Sequence, residues 1–166
     1  MLLLRIVAKT VIAIISVLAL SSCILFLHPK PREGFSYEFF WMPKEQRDAE
    51  FLKQDFETQY KLYIYGSQEI EPPVIDLAYT MAKQGEKIVQ PLEAKLDSAD
   101  DDPTIQDIVF VFAAMSELET YDVPANKPLM QKLLEKQGAV KDPATAIMVQ
   151  DDMHDITFKC RCGLRK

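Results

Sequence analysis

Apolar positions recur at intervals of three and four along most of the chain, most regularly from Pro72 to Leu118. Pro72-Pro73 restricts the residues ahead of it to extended conformations and pre-sets φ for a helix start. Val74, Ile75, Leu77, Ala78, Met81 and Ala82 then keep helical spacing until Gly85, which predicts the end of that helix. Ile88, Val89, Leu92 and Leu96 form a second stripe, with Pro91 either in the first turns or bending the helix by removing a backbone donor. The run Asp97-Ser98-Ala99-Asp100-Asp101-Asp102-Pro103 is too polar to pack and offers capping carboxylates, so it predicts a loop that launches a third helix over about 104–118. Ile105, Ile108, Val109, Val111, Phe112 and Met115, with Phe110 beside them, make that helix apolar on more than one side, which predicts burial on more than one side.

The same spacing predicts a long helix from Lys44 to Tyr65, with Phe51, Leu52, Phe56, Tyr60, Tyr63 and Ile64 on one side and Gly66 at its end. Its tyrosines are expected at a core edge with their hydroxyls reaching water. After a Pro124-containing connection, Lys127 to Gln137 predicts a helix with Pro128 in its first turn and Gly138 as its stop. Asp142-Pro143 then starts a last helix through Ala144, Ala146, Ile147, Val149 and Met153. Short connections favour antiparallel neighbours, so these helices predict an all-α domain of three helical hairpins over 44–156, with 157–166 as a C-terminal tail.

Gly85-Glu86-Lys87-Ile88-Val89-Gln90-Pro91-Leu92-Glu93-Ala94-Lys95-Leu96, the acidic loop and Asp102-Pro103-Thr104-Ile105-Gln106 together resemble a HEAT-like helical repeat. In that family a Gly opens the second helix, a Pro-Leu sits early in it, and an Asp-Pro-x-Val-Arg stretch starts the next repeat. Gln106 stands where the family's Arg is usual, and Val109 and Phe110 replace the small residues that follow it. The resemblance implies helical hairpins that other helices must cover. An irregular helical bundle is the alternative, because Phe110 and Phe112 suggest a globular interior.

A chain of 166 residues with 48% hydrophobic and 27% charged residues allows one domain with an appendage, but the average hides an asymmetry. Residues 1–27 hold Arg5, Lys9 and no acid, and from Val11 to Leu27 the run is interrupted only by Ser16, Ser21, Ser22 and Cys23. With those two bases set aside, 17 of the 19 remain against all 25 acids, a net charge of −8 for 28–166 that argues against nucleic acid or anionic lipid as partner. A basic n-region, an apolar h-region and small residues before a cysteine have the layout of a secretory signal. Leu20-Ser21-Ser22-Cys23 resembles the bacterial lipobox, which implies lipidation of Cys23 and a mature N-terminus there. Ile24-Leu25-Phe26-Leu27 extends the apolar run toward the ~20 residues of a membrane span, so an uncleaved single-pass anchor is the alternative. Either form tethers the chain to the cell envelope through residues 1–27 with the domain outside the cytoplasm. If lipidated, Ile24 after the cysteine implies release toward an outer membrane.

Residues 28–43 begin with a spacer, His28-Pro29-Lys30-Pro31-Arg32-Glu33-Gly34, and continue as an aromatic arm with Phe35, Tyr37, Phe39 and Trp41. The arm reads as an interfacial docking segment or as a strand-like segment folded onto the helices, and a small domain's need for core residues favours the second. Candidate chemistry is sparse. Cys160 and Cys162, one residue apart beside Arg161 and downstream of Asp151, Asp152, His154 and Asp155, suggest a strained disulfide or a soft-metal site, although C-x-C departs from zinc spacing. The Asp97–Asp102 cluster lacks the alternation of a calcium loop, and capping accounts for it better. No nucleophile elbow, phosphate loop or zinc helix stands out, and no cofactor is expected. The function these features predict is a membrane-tethered binding or scaffold module with a protein partner. Its candidate surface comprises Phe35, Tyr37, Phe39, Trp41, Lys53 and Lys61. The alternative is a redox or metal-handling envelope protein using Cys160, Cys162 and His154.

Overall fold

The computed structural model describes residues 37–163, with side chains as far as Phe158. The segment 1–27 with Cys23, the spacer and Phe35 lie outside the described residues. Among the described residues the fold is all-α, with eight α-helices, two short 3₁₀ turns and no strand. The helices are α1 (Tyr37–Trp41), α2 (Lys44–Leu52), α3 (Phe56–Gln68), α4 (Leu77–Ala82), α5 (Val89–Ser98), α6 (Asp102–Glu117), α7 (Lys127–Ala139) and α8 (Pro143–Gly163).

α6 is the centre, and its position follows from its residues. Ile108, Val109, Val111, Phe112 and Met115 are all fully buried, and no single neighbour could cover so many directions. α3, α4, α5, α7 and α8 all pack on it, most extensively α8, although α7 lies between the two in sequence. Leu77 and Met81 of α4, Leu92 and Leu96 of α5, Leu129 and Leu133 of α7, and Val149, Met153 and Ile156 of α8 supply the facing side chains. Each such side chain contributes roughly 1.5–3 kcal/mol by leaving water, which makes this interior the main source of stability.

Side-chain caps start the last three helices, two of them from the acids expected to cap, in the 97–102 loop and at Asp142, and one from Asn126, which the sequence reading left in a connection. Asp101 accepts from Thr104 N at 2.9 Å, Asn126 from Leu129 N at 3.2 Å, and Asp142 from Thr145 N at 2.8 Å. The acidic loop also serves packing, because Asp102 accepts from the backbone N–H groups of Lys141 and Asp142 at 2.9 and 2.7 Å and so fixes the α7–α8 connection. Lys132 of α7 reaches Glu93 and Asp97 at 2.7 and 2.8 Å, which ties α7 to α5.

The N-terminal part departs from the sequence reading in three places. The helix predicted over Lys44–Tyr65 is two helices, because Asp55 takes an extended backbone and caps a new start through Thr58 N at 2.9 Å. α3 then runs through Gly66 instead of ending there, and glycine is needed for a different reason: a Cβ would stand 2.9 Å from Phe40 Cε1. The aromatic arm is helical at Tyr37–Trp41, not strand-like, and Phe40 is the residue it buries, edge-on to Phe39 and packed beside Tyr65. Further on, the helix expected from Pro72-Pro73 begins only at Leu77, after a turn in which Val74 N donates to Gly66 O at 2.8 Å. Gly85 adopts φ +58° and lies so close to Thr120 O that a Cβ would stand 2.7 Å from it.

α7 continues one residue past Gly138. α8 continues well past Met153 to Gly163, so the backbone of 157–163, expected as a tail, is helical.

Candidate functional site

Two polar arrangements and two apolar surfaces stand out in the folded part. The first arrangement joins α3 to α6. Asp107, on the side of α6 that meets α3, accepts from Ser67 Oγ at 2.8 Å and Gln68 Nε2 at 2.7 Å, while Tyr63 donates to the Asp107 carbonyl oxygen at 2.9 Å. The expectation that the α3 tyrosine hydroxyls reach water fails at Tyr63, which is fully buried because Asp107 gives its hydroxyl a partner. Burial pushes the Asp107 carboxyl up against the hydrogen bonds from Gln68, Ser67 and, at 3.4 Å to Oδ1, Tyr63 that favour its charge, and burial raises Tyr63 well above the ordinary tyrosine range. Burial also pushes the neighbouring Tyr60 up to about 12. Asp152 on α8 contrasts with Asp107, since its Oδ2 is buried with no hydrogen-bond partner. Burial, together with the carboxylates of Asp155, Asp151 and Asp107, pushes Asp152 up to about 7. Asp107 is thus held by neutral donors, whereas Asp152 keeps one carboxylate oxygen without a partner.

The second arrangement lies at the N-terminal end. Arg47 is 8% exposed, and its guanidinium donates to Phe40 O at 3.2 Å and to Asp76 Oδ2 at 2.6 Å, which locks α1 and α2 to the turn before α4. Lys44 bridges Asp48 and Asp76 beside it, at 2.8 and 3.1 Å. Arg47 and Asp76 line a hollow of about 310 Å³ together with Phe40, Trp41, Ile70, Pro72, Pro73, Val74 and Ile75. Trp41 is 67% exposed and Ile75 52% exposed at its edge.

The other apolar surface is the outer side of α8. Val149, Met153 and Ile156, spaced i, i+4, i+7, are buried against the core. Ile147, Asp151, His154 and Phe158, with the same spacing, take the opposite side, and Met148 adjoins them. Ile147 is 62%, Met148 51% and Phe158 56% exposed, and the His154 ring stacks on Phe158 at 4.5 Å.

The candidate residues named from sequence fall in different places. Tyr37 and Phe39 are half-buried in α1 and Trp41 is exposed, so the arm divides between core and surface. Lys53 lies exposed just beyond α2, paired with Glu50 at 2.6 Å, and Lys61 is exposed on α3. His154 is exposed with Nδ1 3.9 Å from Asp155 Oδ1. The side chains of Cys160 and Cys162 lie outside the described residues. Among the described residues, no three His, Cys, Asp or Glu side chains are grouped to hold a metal ion, and no helix is long and apolar enough to cross a membrane.

Sequence reasoning missed Asp107, Arg47, Ile75 and the outer side of α8. For α8 a signal existed: Ile147 and Met148 cannot share a side with Val149 and Met153, so the stretch has apolar residues on two faces. Comparison of the chain with protein families, with curated proteins and with solved structures gives no match.

Proposed function

We propose that this protein is a membrane-tethered helical scaffold, its folded part outside the cytoplasm, that holds a protein partner on the outer side of α8. The observation that carries the reading is the pair of apolar faces on that one helix. Its inner face is fully used by the core, yet Ile147, Met148 and Phe158 remain more than half exposed on the other side. Single exposed apolar residues are ordinary, whereas Ile147, Met148 and Phe158 together on one side, with Asp151 and His154 set among them, have the mixed apolar and polar composition of a recognition surface. Tethering rests on the sequence of residues 1–27, as a lipoprotein acylated on Cys23 or as an uncleaved single-pass anchor. The arrangement as three helical hairpins, HEAT-like around α5 and α6, belongs to the same reading, since folds of that kind work by presenting helix faces.

The lysines at the end of α2 and on α3 provide the comparison for a test. Affinity capture from native membranes would use the full chain, the pair Ile147→Asp with Phe158→Asp, and the pair Lys53→Glu with Lys61→Glu. The first pair is expected to abolish capture of a defined partner at unchanged helicity, and the second to leave it intact. The reverse pattern would move the partner to α2 and α3 and end this assignment. Intact mass of protein from its own membrane separates the two tethers: loss of residues 1–22 with added acyl mass means lipoprotein, and the full-chain mass means anchor.

A further inference from the structure

The hollow at the N-terminal end has a different occupant. We propose that the edge formed by Trp41, Ile75, Pro72 and Pro73 rests in the headgroup layer of the bilayer to which the N-terminal segment tethers the chain, so that the folded part sits on the membrane in one orientation. This rests on the tethered reading above and adds an orientation to it.

Chain length makes the first half of the argument. The apolar run ends at Leu27 and α1 begins at Tyr37. In the single-pass form residues 28–36, even fully extended at roughly 3.5 Å per residue, span about 30 Å, and in the lipoprotein form residues 24–36 span about 45 Å from the acylated Cys23, so α1 is held within that reach of the lipid surface. A tether this short keeps the edge at an effective concentration on the order of millimolar, and even a weak preference for the interface is then realised.

Side-chain chemistry makes the second half. Trp41 ends α1 with its ring largely in water, and an indole, apolar with one N–H, is the side chain best suited to the headgroup level. Ile75 is more than half exposed across the same hollow, and Pro72 and Pro73 between them offer no backbone donors. The cations there are already paired, Arg47 with Asp76 and Lys44 with Asp48 and Asp76, so neither has to give up its charge partner on leaving water. Its attraction is apolar and suits zwitterionic lipid. Of the two exposed apolar surfaces this is the one that carries Trp41, the last residue of the short helix that directly follows the tether.

The chain contains a single tryptophan, so its fluorescence reports this edge alone. The full chain would be reconstituted into phosphatidylcholine vesicles, plain or with acyl chains brominated near the headgroup, and recovered by flotation. Brominated lipid is expected to remove about half of the Trp41 emission, and acrylamide to reach it poorly, as for a ring at the interface. Ile75→Asp, which changes an exposed position, is expected to restore most of the emission. A variant with Trp41→Phe and Phe158→Trp, reporting from α8, is expected to show no quenching by lipid. Co-flotation with Trp41 unquenched by brominated lipid and open to acrylamide would overturn the orientation while leaving the tether intact, as would equal quenching from position 158. Failure to float with vesicles would remove the tether itself, and the orientation with it.

Discussion

α6 and α8 pack on one another along the middle of the fold, and both carry apolar residues on more than one side, yet α6 has nearly all of them buried, with Phe110 half-buried, whereas α8 leaves one side open. Phe112 of α6 is fully buried, while Phe158 of α8 is more than half exposed. The difference lies in neighbours, since five helices surround α6 whereas α8 has the core on one side only. Apolarity on every side therefore has two physical meanings: a helix at the centre of a bundle, or a helix with one face left for something else. The buried acids differ in the same way. Asp107, where α6 meets α3, is held by Ser67 and Gln68, and Asp152 on α8 leaves one oxygen unpartnered.

The largest effect should separate the two phenylalanines. Phe112→Ala is expected to cost about 3–5 kcal/mol in urea unfolding, from lost burial and the cavity left behind, and Phe158→Ala less than about 0.5 kcal/mol. Similar values for both would erase the distinction between a covered and an uncovered face. Next in size is Asp107→Ala, which leaves the Ser67 and Gln68 donors without their acceptor and is expected to cost about 1–3 kcal/mol, with Asp107→Asn costing less.

Asp152 should act in the opposite direction. Its folded pKa, about 7, lies above the ordinary value of 3.8, so the folded state holds a proton that the unfolded chain has released. Stability is then fullest below pH 3.8 as far as this group is concerned, and declines as pH rises through about 7. With allowance for the solvent that still reaches the site, the loss is about 1–2 kcal/mol. Asp152→Asn is expected to raise the melting temperature at pH 8 and flatten the profile between pH 5 and 8. A variant whose profile matched the wild type would remove Asp152 as the source. The smallest effect is expected from Cys160→Ser with Cys162→Ser, which should leave both stability and partner capture unchanged. Loss of function in that variant, while folded and membrane-bound, would favour a redox or metal role.

The helix starts in the second half of the fold were legible in the sequence because local chemistry decides them, although the extension of α8 to Gly163 was not. Asp101 and Asn126 stand two residues, and Asp142 one residue, before a proline in the first turn of a helix, and each caps that helix in the structure. The break at Asp55 was not legible. One aspartate inside a continuing apolar pattern reads equally well as a solvated position, and only its bond to Thr58 decides for a cap. Gly66 misled for a related reason, because a helical glycine marks either an end or a close approach, and Phe40 supplies the approach. Asp107 and Arg47 were hidden because helical spacing assigns a face but not the partner across it. Tyr63 lies 44 residues from Asp107, and Asp76 29 residues from Arg47.

The assignment of the outer side of α8 is tested most directly by photo-crosslinking in the native membrane. A photoreactive amino acid would be placed in turn at Ile147, Met148, Lys53 and Lys61 of the full chain. The expected result is one adduct of constant mass from Ile147 and Met148, containing a second protein, with none from Lys53 or Lys61. Adducts from the α8 positions that contain only this chain's own residues, or a protein adduct confined to Lys53 and Lys61, would contradict it.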